Sequence, residues 1–280
     1  LTAHCTLSQE GLPLLTIDNE HARAEISLFG AHVLRYQRHG EPASLWLSDK
    51  AILDGSKPIR GGIPLCWPWF GPSPARVGSG KPAHGFARNC LWTLDGVSDH
   101  GDGTLVHLSL RDNDASRTLW PHAFELELDV LVGKELSLVL TTRNTGKSAL
   151  TYNAALHTYL QISAPEAVTV TGLGEPYLDK LTGRNELQQG ALTVTAAMDR
   201  IYRQPDAMVS VQDGERTTRV VNGNHDSVVV WTPWQEGASA MADMSDNGYR
   251  TMLCVEAAIS DETGVTVAPD EEHSFSTVII

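Results

Sequence analysis

The chain has 280 residues, of which 41% are hydrophobic and 20% charged, and it carries a formal net charge of −13. That content suffices for a sizeable buried core and lies outside the disordered regime. The acidic balance excludes general affinity for nucleic acid or anionic membranes, which rests on Lys and Arg neutralising phosphate, so an anionic partner must find a local basic site.

The first twenty residues contain Glu10 and Asp18 and no uninterrupted apolar run, so neither a signal peptide nor a membrane span is expected. A β-rich run follows at 24–29. Between Asp54 and Asp95 there is then no acidic residue, whereas Lys57, Arg60, Arg76, Lys81 and Arg88 all fall inside that window. In a strongly acidic chain this is where an anionic ligand is expected to bind. Arg60-Gly61-Gly62 and His84-Gly85-Phe86-Ala87-Arg88 place guanidinium groups, which match phosphate oxygens bidentately, beside glycines that let backbone approach a ligand. The plainer alternative is a loop that lacks acids by chance. Trp67, Trp69 and Phe70 stand among Pro64, Pro68 and Pro72, an aromatic cluster that either stacks on a sugar face or fills a core; core filling is the simpler reading of the cluster alone.

Farther along, 104–110 reads as a strand, and 112–120, with an acidic start and stopped by Pro121, as one short helix or turn. The clearest periodicity comes next. Phe124, Leu126, Leu128, Val130 and Val132 alternate with Glu125, Glu127 and Asp129, the pattern of a half-buried strand. Further β-rich runs at 136–142, 167–171, 192–195, 209–211, 227–232, 252–257 and 274–280 are separated by Gly, Asn, Asp and Pro clusters. Many short strands with little helix predict an all-β sandwich or barrel. No repeat or linker divides the chain, so residues 1–280 are expected to form one domain.

Two titratable residues interrupt apolar, strand-like sequence: His157 in Ala154-Ala155-Leu156-His157-Thr158-Tyr159-Leu160 and Glu256 in Leu253-Cys254-Val255-Glu256-Ala257-Ala258. Charge placed there suggests acid–base work; the rivals are a satisfied core histidine and a structural ion pair with an arginine. Asp199 is a weaker candidate, because acids near strand starts are common turn formers. The eleven histidines show no HxH, HxxxH or HExxH spacing and the cysteines no CxxC, so no metal site is expected. GxSxG, Walker and dinucleotide motifs are absent as well. Cys5, Cys66, Cys90 and Cys254 read as reduced core thiols of a cytoplasmic protein.

Six blocks then resemble one family in order and spacing over most of the chain. They are Pro58-Ile59-Arg60-Gly61-Gly62-Ile63-Pro64, Trp67-Pro68-Trp69-Phe70-Gly71-Pro72, Pro82-Ala83-His84-Gly85-Phe86-Ala87-Arg88-Asn89, Leu156-His157-Thr158-Tyr159, Val229-Val230-Trp231-Thr232-Pro233-Trp234 and Cys254-Val255-Glu256. Together they resemble the hexose-6-phosphate mutarotases (glucose-6-phosphate 1-epimerases), a branch of the aldose 1-epimerase family. The resemblance implies a β-supersandwich of two large twisted antiparallel sheets, no cofactor, and a hexose 6-phosphate substrate handled by a cytoplasmic monomer. It also implies His157 as catalytic acid, Glu256 as base, Arg60 and Arg88 as phosphate ligands, and His84, Asp199, Trp67 and Trp234 as substrate contacts. One position departs: where some relatives carry Gln or Ser before the loop histidine, this chain has Ala83, so that substrate hydrogen bond is missing or supplied elsewhere.

Mutarotation requires a base to take the anomeric proton while an acid protonates the ring oxygen. Glu256 is expected as carboxylate and His157 as imidazolium, with Asp199 raising the histidine pKa. The alternatives are a non-catalytic carbohydrate or sugar-phosphate binding module, a mutarotase of unphosphorylated aldoses, and a glycoside hydrolase or lyase. The hydrolase normally needs two carboxylates rather than one beside a histidine.

Overall fold

The computed structural model describes residues 3–280. The alternating segment forms the strand Phe124–Gly133, in which Phe124, Leu126, Leu128, Val130 and Val132 are buried while the intervening acids face outward. It pairs antiparallel with Gly103–Arg111 on one side and Leu136–Asn144 on the other, inside a nine-stranded sheet. All ten runs anticipated from the sequence contain strand, although the one at 192–195 keeps only Leu192–Thr193. The helix is Asp114–Leu119, and its start is a capping box between Asn113 and Ser116 rather than an acidic residue.

An eight-stranded antiparallel sheet faces the nine-stranded one. Leu65, Leu156, Leu253, Val255 and Ala257 from the first and Leu126, Leu128, Val130 and Leu138 from the second share one apolar core. A four-stranded sheet from Ala3–Leu7 to His32–Arg38 closes one side, fastened where the Tyr36 hydroxyl donates to the Gly133 carbonyl at 2.8 Å. The architecture is thus the all-β supersandwich, two large antiparallel sheets over a common core. Among the described residues, no helix is long and apolar enough to cross a membrane.

The centre of the eight-stranded sheet positions the chemistry. Met252–Ile259 is buried along its whole length, so both of its faces are covered. Leu253, Val255 and Ala257 point into the main core, and period two therefore turns Cys254 and Glu256 to the opposite face. The neighbouring strand Ser227–Thr232 does the same: Val228 and Val230 are core, leaving Val229 and Trp231 beside Glu256 and Cys254 in register.

Candidate active site

The opposite face of that sheet floors a cleft of about 490 Å³. Ala154–Leu156 and Tyr159–Gln161 both pair with Met252–Ile259, at Leu156↔Ala257 and Tyr159↔Cys254, so the intervening register places His157 across from Glu256. The Val255 amide donates to the Thr158 carbonyl at 3.0 Å and the His157 amide to that of Pro64 at 3.0 Å, which holds the interruption in place. The side chains meet accordingly: His157 Nδ1 lies 3.3 Å from Glu256 Oε1, with side-chain exposures of 12% and 1%. The contact lacks hydrogen-bond geometry, for His157 Nδ1 and Glu256 Oε2 are both buried without a partner. The imidazole also stacks on Tyr159, centroids 4.9 Å apart.

Burial sets the protonation of this pair. It lowers the His157 pKa well below the ordinary range, helped by His84, Arg88 and Arg60, and raises that of Glu256 well above the carboxylate range, helped by Asp199. Both shifts favour the uncharged forms, a neutral imidazole and a protonated carboxyl. Without a ligand these directions run against the expected imidazolium–carboxylate form, and Asp199 raises the pKa of Glu256 rather than that of His157. Asp199 itself sits 3.1 Å from Lys180 Nζ, on a strand whose register runs Asp199↔Trp231 beside the floor of the cleft.

His84 overhangs the pair, its ring 6.0 Å from that of His157 and 5.2 Å from Phe70. Its Nδ1 accepts from the Gly71 amide at 3.2 Å, which leaves Nε2–H as the free donor. Burial, with Arg88, Lys180 and Arg60 nearby, lowers its pKa to about 3, so the ring is neutral. The loop beneath needs glycine: Gly85 has φ +71°, and a Cβ there would stand 2.0 Å from the Trp67 carbonyl oxygen. Gly85→Ala is expected to displace His84 and destabilise the fold by more than about 1 kcal/mol, a fall in melting temperature of a few degrees readable by calorimetry. An unchanged Tm would mean that the loop relaxes freely.

Of the five bases in the acid-free window, three reach the cleft: Lys57, Arg60 and Arg88. Arg76 bonds Asn153 and Lys81 the Leu119 carbonyl instead. Arg60 Nε lies 3.2 Å from Asp243 Oδ2 and its Nη1 donates to the Tyr159 hydroxyl at 3.2 Å. Burial opposes the charge, but these two partners outweigh it and the guanidinium stays charged. Arg88 Nη2 donates to the Ala83 carbonyl at 3.1 Å, whereas its buried Nε has no partner.

His157, Glu256, Arg60, Arg88, His84 and Asp199 thus come together, whereas Trp67 and Trp234 stay outside. Trp67 is fully buried in the core against Phe124, its indole N–H donating to Thr142, and Trp234 packs on Tyr249. The aromatic lining comes instead from Phe70, Tyr159 and Trp231. Parity was the available signal for Trp231, since Val228 and Val230 point inward. Lys180, from the turn after strand Pro176–Asp179, and Asp243, from a loop, carry no comparable sequence mark.

The aldose 1-epimerase family model matches residues 13–279. An Escherichia coli protein named "Putative glucose-6-phosphate 1-epimerase" is 36% identical over 272 residues, covering 95% of this chain and 90% of its own. A Salmonella typhimurium protein of the same name is 37% identical over 269 residues, covering 95% and 88%. The crystal structure of a "putative mutarotase" from Salmonella typhimurium superimposes with a TM-score of 0.93 at 31% identity, over 99% of this chain and 92% of that one. A galactose mutarotase-like protein from Lactobacillus casei shares the fold at a TM-score of 0.73 and 15% identity, over 95% and 99%.

Proposed function

Because this chain belongs to the aldose 1-epimerase family, we propose that it interconverts the α and β anomers of a hexose 6-phosphate, with D-glucose 6-phosphate the leading substrate. The observation that carries the reading is the juxtaposition of the His157–Glu256 pair with Lys57, Arg60, Arg88 and Lys180 around one cleft. Acid–base groups at the floor suit the anomeric centre, and four cations in a chain of net charge −13 suit an anionic substituent.

Ring opening moves one proton off the anomeric hydroxyl and another onto the ring oxygen. The reactive form is imidazolium over carboxylate; from the uncharged forms that burial favours it is reached by moving one proton from Glu256 to His157. A bound sugar favours this form: O1–H donates to the Glu256 carboxylate, and O5 accepts from the imidazolium, contacts that replace the missing solvent. Glu256 then takes the O1 proton while His157 protonates O5. Rotation about C1–C2 turns the carbonyl, and the two transfers run backwards to close the other anomer. His84 Nε2–H and Asp199 are placed to hold ring hydroxyls, and Arg60 and Arg88 to hold the phosphate.

The pH dependence follows from the two shifts. Below the depressed His157 pKa both groups are protonated and no base remains; above the raised Glu256 pKa both have lost their protons and no acid remains. Turnover at saturating unphosphorylated glucose, which lacks a titrating phosphate, is therefore expected to trace a bell whose acid limb lies below the ordinary histidine range and whose alkaline limb lies above the ordinary carboxylate range. An optimum confined to acid, falling through the ordinary histidine range, would contradict a neutral imidazole in the free site.

The specificity is tested by comparing kcat/KM for glucose 6-phosphate and glucose: the phosphorylated sugar should be preferred by more than about tenfold, and equal values would leave a general aldose mutarotase.

A further inference from the structure

We propose that Cys254, His157 and Glu256 together form a binding site for a thiophilic divalent cation of the Zn²⁺ class, and that the bound ion takes the acid–base pair out of action. Binding of the ion goes beyond the sugar chemistry and stands without it; the inhibition rests on the proposed reaction. Cys254 and Glu256, two residues apart on Met252–Ile259, share the face that turns away from the main core, and His157 stands across from Glu256. One ligand atom from each of the three lies within 4.8 Å of the others. Two of the three side chains present buried polar atoms without any partner, Nδ1 of His157 and Oε2 of Glu256.

Thiolate, imidazole and carboxylate are the ligand types of zinc, and three protein ligands with an open fourth position is a common arrangement. At bond lengths of about 2.0–2.3 Å, tetrahedral ligand atoms stand about 3.6 Å apart, so side-chain adjustments of about an ångström bring the trio together. His157 and Glu256 line the cleft, which supplies the approach and a fourth position for water, while the Cys254 thiol lies beneath them, packed with Tyr159 and Met252. Coordination replaces the thiol and carboxyl protons, so two protons leave as one dication enters. Thiolate and carboxylate then cancel the ion's charge, which is what a buried site requires. A hard ion such as Mg²⁺ has no comparable six-oxygen shell here. With His157 and Glu256 both engaged, neither can move a proton, and the sugar and the ion compete for the same atoms.

The test uses the full chain and two readouts. Titration with Co²⁺ should give a thiolate-to-cobalt charge-transfer band in the near ultraviolet, which glucose 6-phosphate reduces. Zn²⁺, but not Mg²⁺, should inhibit anomer exchange, and a chelator should restore it. Cys254→Ala should abolish the band and weaken Zn²⁺ inhibition by more than about tenfold relative to its own metal-free rate. Cys5→Ser should alter neither, since Cys5, expected in the core, is exposed on the edge strand Ala3–Leu7. If Cys254→Ala folds poorly, Cys254→Ser keeps the volume and gives the same comparison. No band in the wild type, a band that persists in the Cys254 variants, or Zn²⁺ inhibition indifferent to position 254 would overturn the assignment. The cobalt spectrum reads binding alone, so its outcome stands whether or not the proposed reaction does.

Discussion

His157→Asn and Glu256→Gln are each expected to lower anomer exchange by at least about a hundredfold while leaving hexose 6-phosphate binding within a few-fold of wild type, the loss typical of a positioned proton-transfer group. The two side chains face each other at 3.3 Å at the floor of the cleft, with Glu256 only 1% exposed, so bulk water is a poor replacement for either. The fold should survive both changes. Glu256→Gln keeps the shape and the uncharged form that burial favours at this position, so the melting temperature should hold or rise. His157→Asn retains a polar edge beside Tyr159. The double variant should lose little more than the worse single one, since the two residues act as a unit. Near-normal exchange in either folded variant would remove the pair from the mechanism.

The second large effect concerns the arginines. Charge-assisted hydrogen bonds are worth roughly 1.5–3 kcal/mol, so Arg60→Ala or Arg88→Ala should lower kcat/KM for the hexose 6-phosphate about tenfold to a hundredfold and change that for the free sugar little. The two replacements differ in what they leave behind. Arg60 is tied to Asp243 and to Tyr159, so its loss strands a carboxylate at the rim and should also lower stability. Arg88 gives one bond to Ala83 and keeps an unpartnered Nε, which makes Arg88→Ala the cleaner probe. Arg88→Lys keeps the charge but loses the fork and should fall between wild type and Ala. Added salt should weaken only the phosphorylated substrate. Equal losses for phosphorylated and free sugar would reduce both arginines to loop supports.

Much of this was readable in the chain itself. Alternation at Phe124–Gly133 announces a strand with one wet face, and titratable residues within apolar runs single out His157 and Glu256. Glycine beside arginine marks the loops that carry Arg60 and Arg88. What failed has two causes: which way a residue points, and what distant segments bring beside it. Leu65 and Trp67 share a parity that faces the core, and Cys66 takes the other, so Trp67 became core. Trp231, not Trp234, has the cleft parity, because Pro233 breaks the strand before Trp234. The acid-free window was real along the chain but not in space, since Asp243 and Asp199 arrive from distant segments. The protonation of the pair was out of reach for the same reason: desolvation depends on what covers Glu256 and His157, and the covering residues come from strands and loops far apart in the sequence.

Exchange spectroscopy of glucose 6-phosphate at neutral pH tests the central claim most directly, with catalytic amounts of the protein and a chelator present to keep stray metal away. The α and β anomer signals should show exchange cross-peaks far faster than in buffer alone, in proportion to protein concentration, and His157→Asn should return them to the buffer rate. A wild-type protein that binds glucose 6-phosphate, as seen by line broadening or calorimetry, but leaves the exchange rate at its buffer value would contradict the account and identify the cleft as a sugar-phosphate binding site without catalysis.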